Sequence, residues 1–167
     1  IEKIAKKNKP IILSAGASSL DEIESTVNYL KSLKFDVNNK LTILHCVIRY
    51  PNYIKDSGLG NIPILKKRFP TISIGYSDHT LGTKAAIASL ALGAKVIEKH
   101  ITLNKNSSGP DHSSSLNKIE FINFVKQIKN AEKSVGEKLK IITTSEVSNS
   151  LVIRKSIVAI KNIKKGD

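Results

Sequence analysis

Residues 71 to 100 read TISIGYSDHTLGTKAAIASLALGAKVIEKH, and this stretch decides the fold. An apolar run, Thr71 to Tyr76, leads into a polar turn. A small-residue segment, Leu81 to Leu92, follows with the composition of a helix and is closed by Gly93 as the residue just past its end. A second apolar run, Ala94 to His100, comes next. A strand, a helix and a strand at this spacing predict a βαβ crossover, and hence two parallel neighbouring strands.

The same pattern extends outward in both directions. Upstream, PIILSAG (Pro10 to Gly16) is a short β-rich run. Behind it, Ser19 and Glu22 have the spacing of a capping box, and Leu20, Ile23, Val27 and Leu30 repeat at helical period. LTILHCV (Leu41 to Val47) is the next strand, followed by a long loop with Pro51 and Gly58 and a short helix around IPILKKRF. Downstream, a long helix is predicted from near Asn117 to Gly136. Four successive βα units with near-continuously apolar strands predict an α/β parallel sheet covered on both faces, either a doubly wound sheet or half of a (β/α)8 barrel. Beyond Gly136 the helical period is lost, and VIRKSIVAI alternates like a strand. The expected organisation is a barrel segment over 1–136, a linker over 137–150 and the start of another module over 151–167.

Composition narrows the class. The chain has 167 residues, 40% hydrophobic and 25% charged, as expected for a folded domain rather than a disordered one. It begins at Ile1 and contains no methionine, which suggests a piece of a longer chain. No apolar run approaches the roughly 20 residues of a membrane span, so the expectation is a cytoplasmic protein that does not enter the membrane. The lone Cys46 sits in an apolar strand and is expected to be a buried structural thiol. The net charge of +13 raises the possibility of nucleic-acid binding. The lysines, however, are scattered over helix faces, arginines number three and aromatics are few, so no nucleic-acid partner is expected.

The unusual polar residues fall at the C-terminal ends of the predicted strands, where parallel βα folds collect their chemistry. These are Ser14, His45, the run Ser77-Asp78-His79, and the pair Glu98 and His100. Alternation places Ser77 with His79 on one face and Glu98 with His100 on one face. Neighbouring strands lie about 4.8 Å apart, so His79 and His100 at matching heights can share one divalent ion and leave positions open for a substrate oxygen. The alternative is that these histidines satisfy hydrogen bonds in the core, and His45 is expected to do so. Asp78 can cap the following helix. Glu98, expected inside a barrel, requires a partner.

Taken together, KPIILSAGASSLDEIE, ILHCVIRYP, IGYSDHTLG, ALGAKVIEKHITL and GPDHSSSL resemble the second half of the catalytic barrel of the sialic acid (N-acetylneuraminate) synthase family. RKSIVAIKNIKKGD resembles the entry into that family's antifreeze-like (SAF) domain. The resemblance implies a transferase that condenses phosphoenolpyruvate with the open-chain aldehyde of an N-acylated hexosamine such as N-acetylmannosamine. It implies release of phosphate and a divalent metal (Mn2+, Mg2+ or Co2+) that polarises the aldehyde. It implies His79 and His100 as metal ligands and Ser14 and Ser77 as contacts to phosphoenolpyruvate. It further implies Asp111 on the sugar hydroxyls, Glu98 near the metal and the sugar, and Tyr50 beside the substrate. A domain-swapped homodimer is implied for the full-length protein.

This sequence departs from the pattern at two places. Ile48, followed by Arg49, stands where family members carry a small polar residue touching phosphoenolpyruvate, and YPNY replaces the usual YPTP. The family's lysines and glutamate on the first four strands lie outside this chain, which on that ground is expected to be inert alone. GPDH leans toward the neuraminic or legionaminic branch rather than the pseudaminic one. The reading of another class is a non-catalytic phosphate-binding barrel that serves as an assembly module.

Overall fold

The computed structural model describes residues 1–136 and 140–166. The chain divides into two compact units, Ile1–Gly136 and Glu137–Asp167. In chain order the first unit contains α1 (Glu2–Ala5), β1 (Ile11–Ser14), α2 (Leu20–Ser32), α3 (Val37–Lys40) and β2 (Leu41–Cys46). It continues with α4 (Asn61–Arg68), β3 (Ser73–Asp78), α5 (Lys84–Ala91), β4 (Ile97–Lys99) and α6 (Lys118–Val135). The four strands form one parallel sheet in the order β1-β2-β3-β4, so each strand pairs with its sequence neighbour. This curled α/β sheet with its helices is half of a (β/α)8 barrel, as the repeated βα pattern predicts.

Register fixes the two faces. Ser14 pairs with Leu44, Leu44 with Gly75, Cys46 with Ser77, and Ser77 with Glu98, so these side chains share the inner face. The outer face carries Leu41, Ile43, Ile74 and Tyr76, which pack with Ile23, Val27 and Leu30 of α2 and Ile62 and Leu65 of α4 in the main core. Ile43 and Ile62 are completely buried, each such side chain contributing about 1.5–3 kcal/mol. A smaller cluster joins Ala86 of α5 to Leu116 and Phe124 of α6. Gly75 is required by close approach, since a Cβ there would lie 2.5 Å from the Val96 carbonyl oxygen and from a Leu44 methyl.

Local signals set the helix ends. Ser19 and Glu22 form the predicted capping box on α2, and Asn117 and Glu120 form one on α6, which stops at Gly136 with φ 59°. Gly93 takes φ 99° just past α5. The helix after β3 begins at Lys84, not Leu81, because Gly82 adopts φ 78° and Thr83 is the N-cap residue. β3 in turn runs to Asp78 and takes in part of the expected turn.

The second unit differs from expectation. Its helix α7, Thr144–Ile153, occupies the second half of the expected linker and the start of the expected strand VIRKSIVAI. Residues 154–160 form no ladder with any described strand. A lone alternating segment has no partner for its backbone groups, whereas the capping box of Thr143 and Glu146 satisfies the first turn of a helix. Residues 137–139 of the expected linker lie outside the described residues. Among the described residues no helix is long and apolar enough to cross a membrane.

Candidate functional site

The inner-face residues at the C-terminal ends of β2, β3 and β4 converge. The rings of His79 and His100 lie 5.2 Å apart, centre to centre, nearly edge-on at 78°. Tyr50, in the loop after β2, packs its ring 4.1 Å from that of His79 and 5.0 Å from that of His100. Ser77 donates its hydroxyl proton to Glu98 Oε1 at 2.7 Å and lies 3.3 Å from His79 Nε2. Asp111, in the loop between β4 and α6, brings its carboxylate to 4.0 Å from His100 Nδ1. That loop is anchored by Leu116 N donating to the His100 carbonyl and by Thr102 N donating to the Leu116 carbonyl.

The tautomer of His79 follows from its partners. Its Nδ1 lies 2.7 Å from the Val47 carbonyl oxygen, which only accepts, so Nδ1 carries a hydrogen. Because the single Ser77 proton goes to Glu98, the lone pair of neutral His79 on Nε2 has no donor there. An imidazole held by its Nδ1–H on a backbone carbonyl, with Nε2 free, is the arrangement metal-binding histidines use. An ion about 2.1 Å from each nitrogen lies roughly 3.2 Å from each ring centre. Two rings meeting at 90–110° would then be about 4.6–5.3 Å apart. The observed spacing of the rings falls within that range. Among the described residues, no group of three or more His, Cys, Asp or Glu is placed to hold a metal ion. The residues that would hold such an ion are the two imidazoles.

Electrostatics bear on the same ring. Burial pulls the His79 pKa down, but the Cys46 side chain, the Val47 carbonyl and the charge of Asp78 outweigh it and hold the pKa above the ordinary imidazole value. Burial pushes the Cys46 thiol up, yet hydrogen bonds with His79, Ser14 and Ser77 leave it lowered. Burial, with the charges of Cys46, Asp111 and Glu98, raises the Tyr50 hydroxyl.

The site residues named from sequence are thus largely brought together, with differences in detail. Ser77, His79, Glu98, His100, Tyr50 and Asp111 form one cluster. Ser14 sits at the end of β1, with its hydroxyl accepting from Gly16 N at 3.4 Å, next to Cys46 rather than against the histidine pair. Glu98, expected as a buried charge, is exposed on the inner face and satisfied by Ser77. Asp78 does not cap α5. It lies on the outer face, where Oδ1 accepts from Thr80 N and Thr80 Oγ1 and Oδ2 accepts from Lys99 Nζ at 2.9 Å. His45 takes the structural role, its Nε2 donating to the Ser57 carbonyl at 2.8 Å while its ring stacks 5.8 Å from that of Tyr76.

Sequence reasoning missed two partners. Cys46, expected as a core thiol, is buried but faces the site, its sulfur 3.9 Å from His79 Nδ1. Lys99 was not singled out, although its position directly before His100, mirroring Asp78 before His79, was a signal that alternation could have exposed. At the departures from the family pattern, Ile48 is 62% exposed and its methyl fills the space beside Gly16. The Arg49 guanidinium stacks 4.0 Å over the Tyr53 ring.

Comparison with known proteins places this geometry in context. Residues 1–140 match the NeuB family. The chain is 45% identical over 167 residues to an N,N'-diacetyllegionaminic acid synthase of Campylobacter jejuni, covering 100% of this chain and 49% of the relative. It is 37% identical over 166 residues to the mouse N-acetylneuraminate-9-phosphate synthase, covering 99% of this chain and 45% of the relative. The crystal structure of N-acetylneuraminic acid (sialic acid) synthetase from Leptospira borgpetersenii, in complex with citrate, superposes with a TM-score of 0.80 at 31% identity. That match covers 93% of this chain and 54% of the other. The chain therefore spans about half the length of the curated relatives it matches.

Proposed function

The chain belongs to the NeuB family, and from that premise we propose that the full-length protein condenses phosphoenolpyruvate with the aldehyde of an N-acylated hexosamine, giving a nonulosonic acid of the neuraminic or legionaminic kind. C3 of phosphoenolpyruvate forms the new bond to the aldehyde carbon. Water adds at C2, and phosphate leaves with cleavage of its C–O bond. The observation that carries the reading is the pair of imidazoles, 5.2 Å apart on one inner face, with the lone pair of neutral His79 Nε2 left without a donor. His79 and His100 would hold a divalent cation such as manganese, magnesium or cobalt, which when bound supplies Lewis acidity toward the aldehyde oxygen.

The chain's own groups account for binding and orientation. Ser77 and Ser14 bind the phosphate or carboxylate of phosphoenolpyruvate. Asp111 accepts from sugar hydroxyls, Glu98 acts between Ser77 and the sugar, and Tyr50 walls the histidine pair on one side. No side chain is needed as a covalent nucleophile; the work is positioning and charge stabilisation. Residues 151–167 are proposed as the approach to an antifreeze-like domain, on their likeness to that segment, and the full-length protein as a domain-swapped homodimer acting in the cytoplasm.

The test is phosphate release by the full-length protein, supplied with phosphoenolpyruvate, manganese and a panel of N-acylated hexosamines. Turnover with at least one sugar, abolished by a chelator and restored by manganese, is expected. Release that is indifferent to the sugar, or no release with any of them, contradicts the proposal. A second reading has one observation in its favour: Ile48 puts an apolar side chain where the family pattern has a polar contact, and Arg49 is stacked on Tyr53. A phosphate-binding barrel without chemistry would bind phosphoenolpyruvate yet release no phosphate with any sugar.

A further inference from the structure

Behind the histidine pair, on the opposite face of the sheet, lies an ion pair that the proposed chemistry does not use. The side chains of Asp78 and Lys99 are 0% and 3% exposed and meet at 2.9 Å. The carboxylate is fully engaged, with Oδ1 taking Thr80 N at 2.9 Å and Thr80 Oγ1 at 2.7 Å and Oδ2 taking the ammonium. Lys99 Nζ also donates to the Thr80 carbonyl. Two buried charges are costly to desolvate, and apolar residues would pack the same space at least as well, so core stability alone does not account for them.

Their placement suggests another role. Asp78 and Lys99 are register partners across β3 and β4. Each immediately precedes one of the two histidines, so alternation sends the ion pair outward and both imidazoles inward at the same height. Thr80 extends the clamp, because it bridges in parallel fashion to Asn52, whose N–H donates to the His79 carbonyl at 2.8 Å. Asn52 lies two residues beyond Tyr50, the ring that covers both imidazoles.

The geometry points to Asp78 and Lys99 as a positioning pair, which with Thr80 locks His79, His100 and the Tyr50 loop at their mutual spacing. What that spacing serves rests on the two-histidine reading above. The clamp itself is a statement about ring placement and can be measured without metal.

The experiment uses the full-length protein and two variants. One is the double substitution Asp78→Leu with Lys99→Met, which replaces the pair by apolar groups; the other is Thr80→Val, which removes only the hydroxyl donor to Asp78. Three quantities are read for each: the denaturant midpoint, nuclear Overhauser contacts among the His79, His100 and Tyr50 ring protons in metal-free protein, and manganese affinity by electron paramagnetic resonance. The double variant is expected to fold with a lowered midpoint, because the buried Thr80 N–H and hydroxyl lose their acceptor, and to lose the ring contacts and about 10–100-fold in manganese affinity. Thr80→Val is expected to lose severalfold in affinity and to weaken the contacts to Tyr50. The clamp is overturned if the double variant folds with ring contacts intact and affinity within about twofold of the parent. If it does not fold, unchanged ring contacts and affinity in Thr80→Val overturn it equally. Should the parent bind no manganese while the variants lose the ring contacts, the clamp stands and the metal reading falls.

Discussion

At the scale of single residues, the site turns on where protons sit. Burial depresses the His79 pKa, but Cys46, the Val47 carbonyl and Asp78 more than reverse this, so the ring protonates above the ordinary value of about 6.5. A ligating imidazole must be neutral. Manganese affinity of the full-length protein is therefore expected to fall as pH drops through a midpoint above pH 6.5, and in Cys46→Ala that midpoint is expected to move down. Titrations at stepped pH check both. The linkage has the opposite sign for the metal-free fold: the raised pKa adds stability fully present below the unfolded value and lost as pH rises through the folded one. Glu98 offers a separate test. It takes the Ser77 proton and so keeps His79 Nε2 free, and Glu98→Ala is therefore expected to lower turnover by roughly 10²-fold and, by releasing the Ser77 hydroxyl to donate to Nε2, to weaken manganese binding severalfold, as initial rates and paramagnetic titration would show.

At the scale of elements, the strand ends are held by backbone proximity and helix caps. Gly75→Ala would drive a Cβ into the Val96 carbonyl oxygen, a backbone atom that cannot step aside without separating β3 from β4. The expected cost is about 1–3 kcal/mol, read from denaturant unfolding of the full-length protein. On α6, Glu120 accepts from Asn117 N and from Lys105, which hold its carboxyl below the usual range. That contribution is present above the ordinary glutamate pKa of about 4.3 and is lost as pH falls through the lowered value, so Glu120→Gln should flatten the acid side of the stability profile. The capping box on α2, the start of α6 near Asn117, the parallel pairing of the strands and the inner-face alternation were legible in the sequence, because period and cap chemistry are local. The Asp78–Lys99 pair was signalled only by the matching places of the two residues before the histidines: SDHT is an equally good helix-cap pattern, and the register of β4 turns that match into a pairing. The helix at Thr144–Ile153 was missed for the converse reason, since its capping box was present but no apolar stripe accompanied it.

At the scale of the molecule, the +13 charge, which alone would have suggested a nucleic-acid binder, accompanies a NeuB-family half barrel. The chain spans about half the length of its curated relatives, and the four strands described carry the histidine pair but none of the lysines that the family resemblance assigns to earlier strands. The isolated 167-residue chain is accordingly expected to release no phosphate from phosphoenolpyruvate under conditions in which the full-length protein does. The central claim is that His79 and His100 together hold one divalent cation, and the most direct measurement is manganese titration of the full-length protein beside its His79→Ala and His100→Ala variants. One ion per chain in the parent, with affinity reduced by well over tenfold in each variant, is the predicted result. Equal affinity in parent and variants, or no stoichiometric ion in the parent, would contradict it.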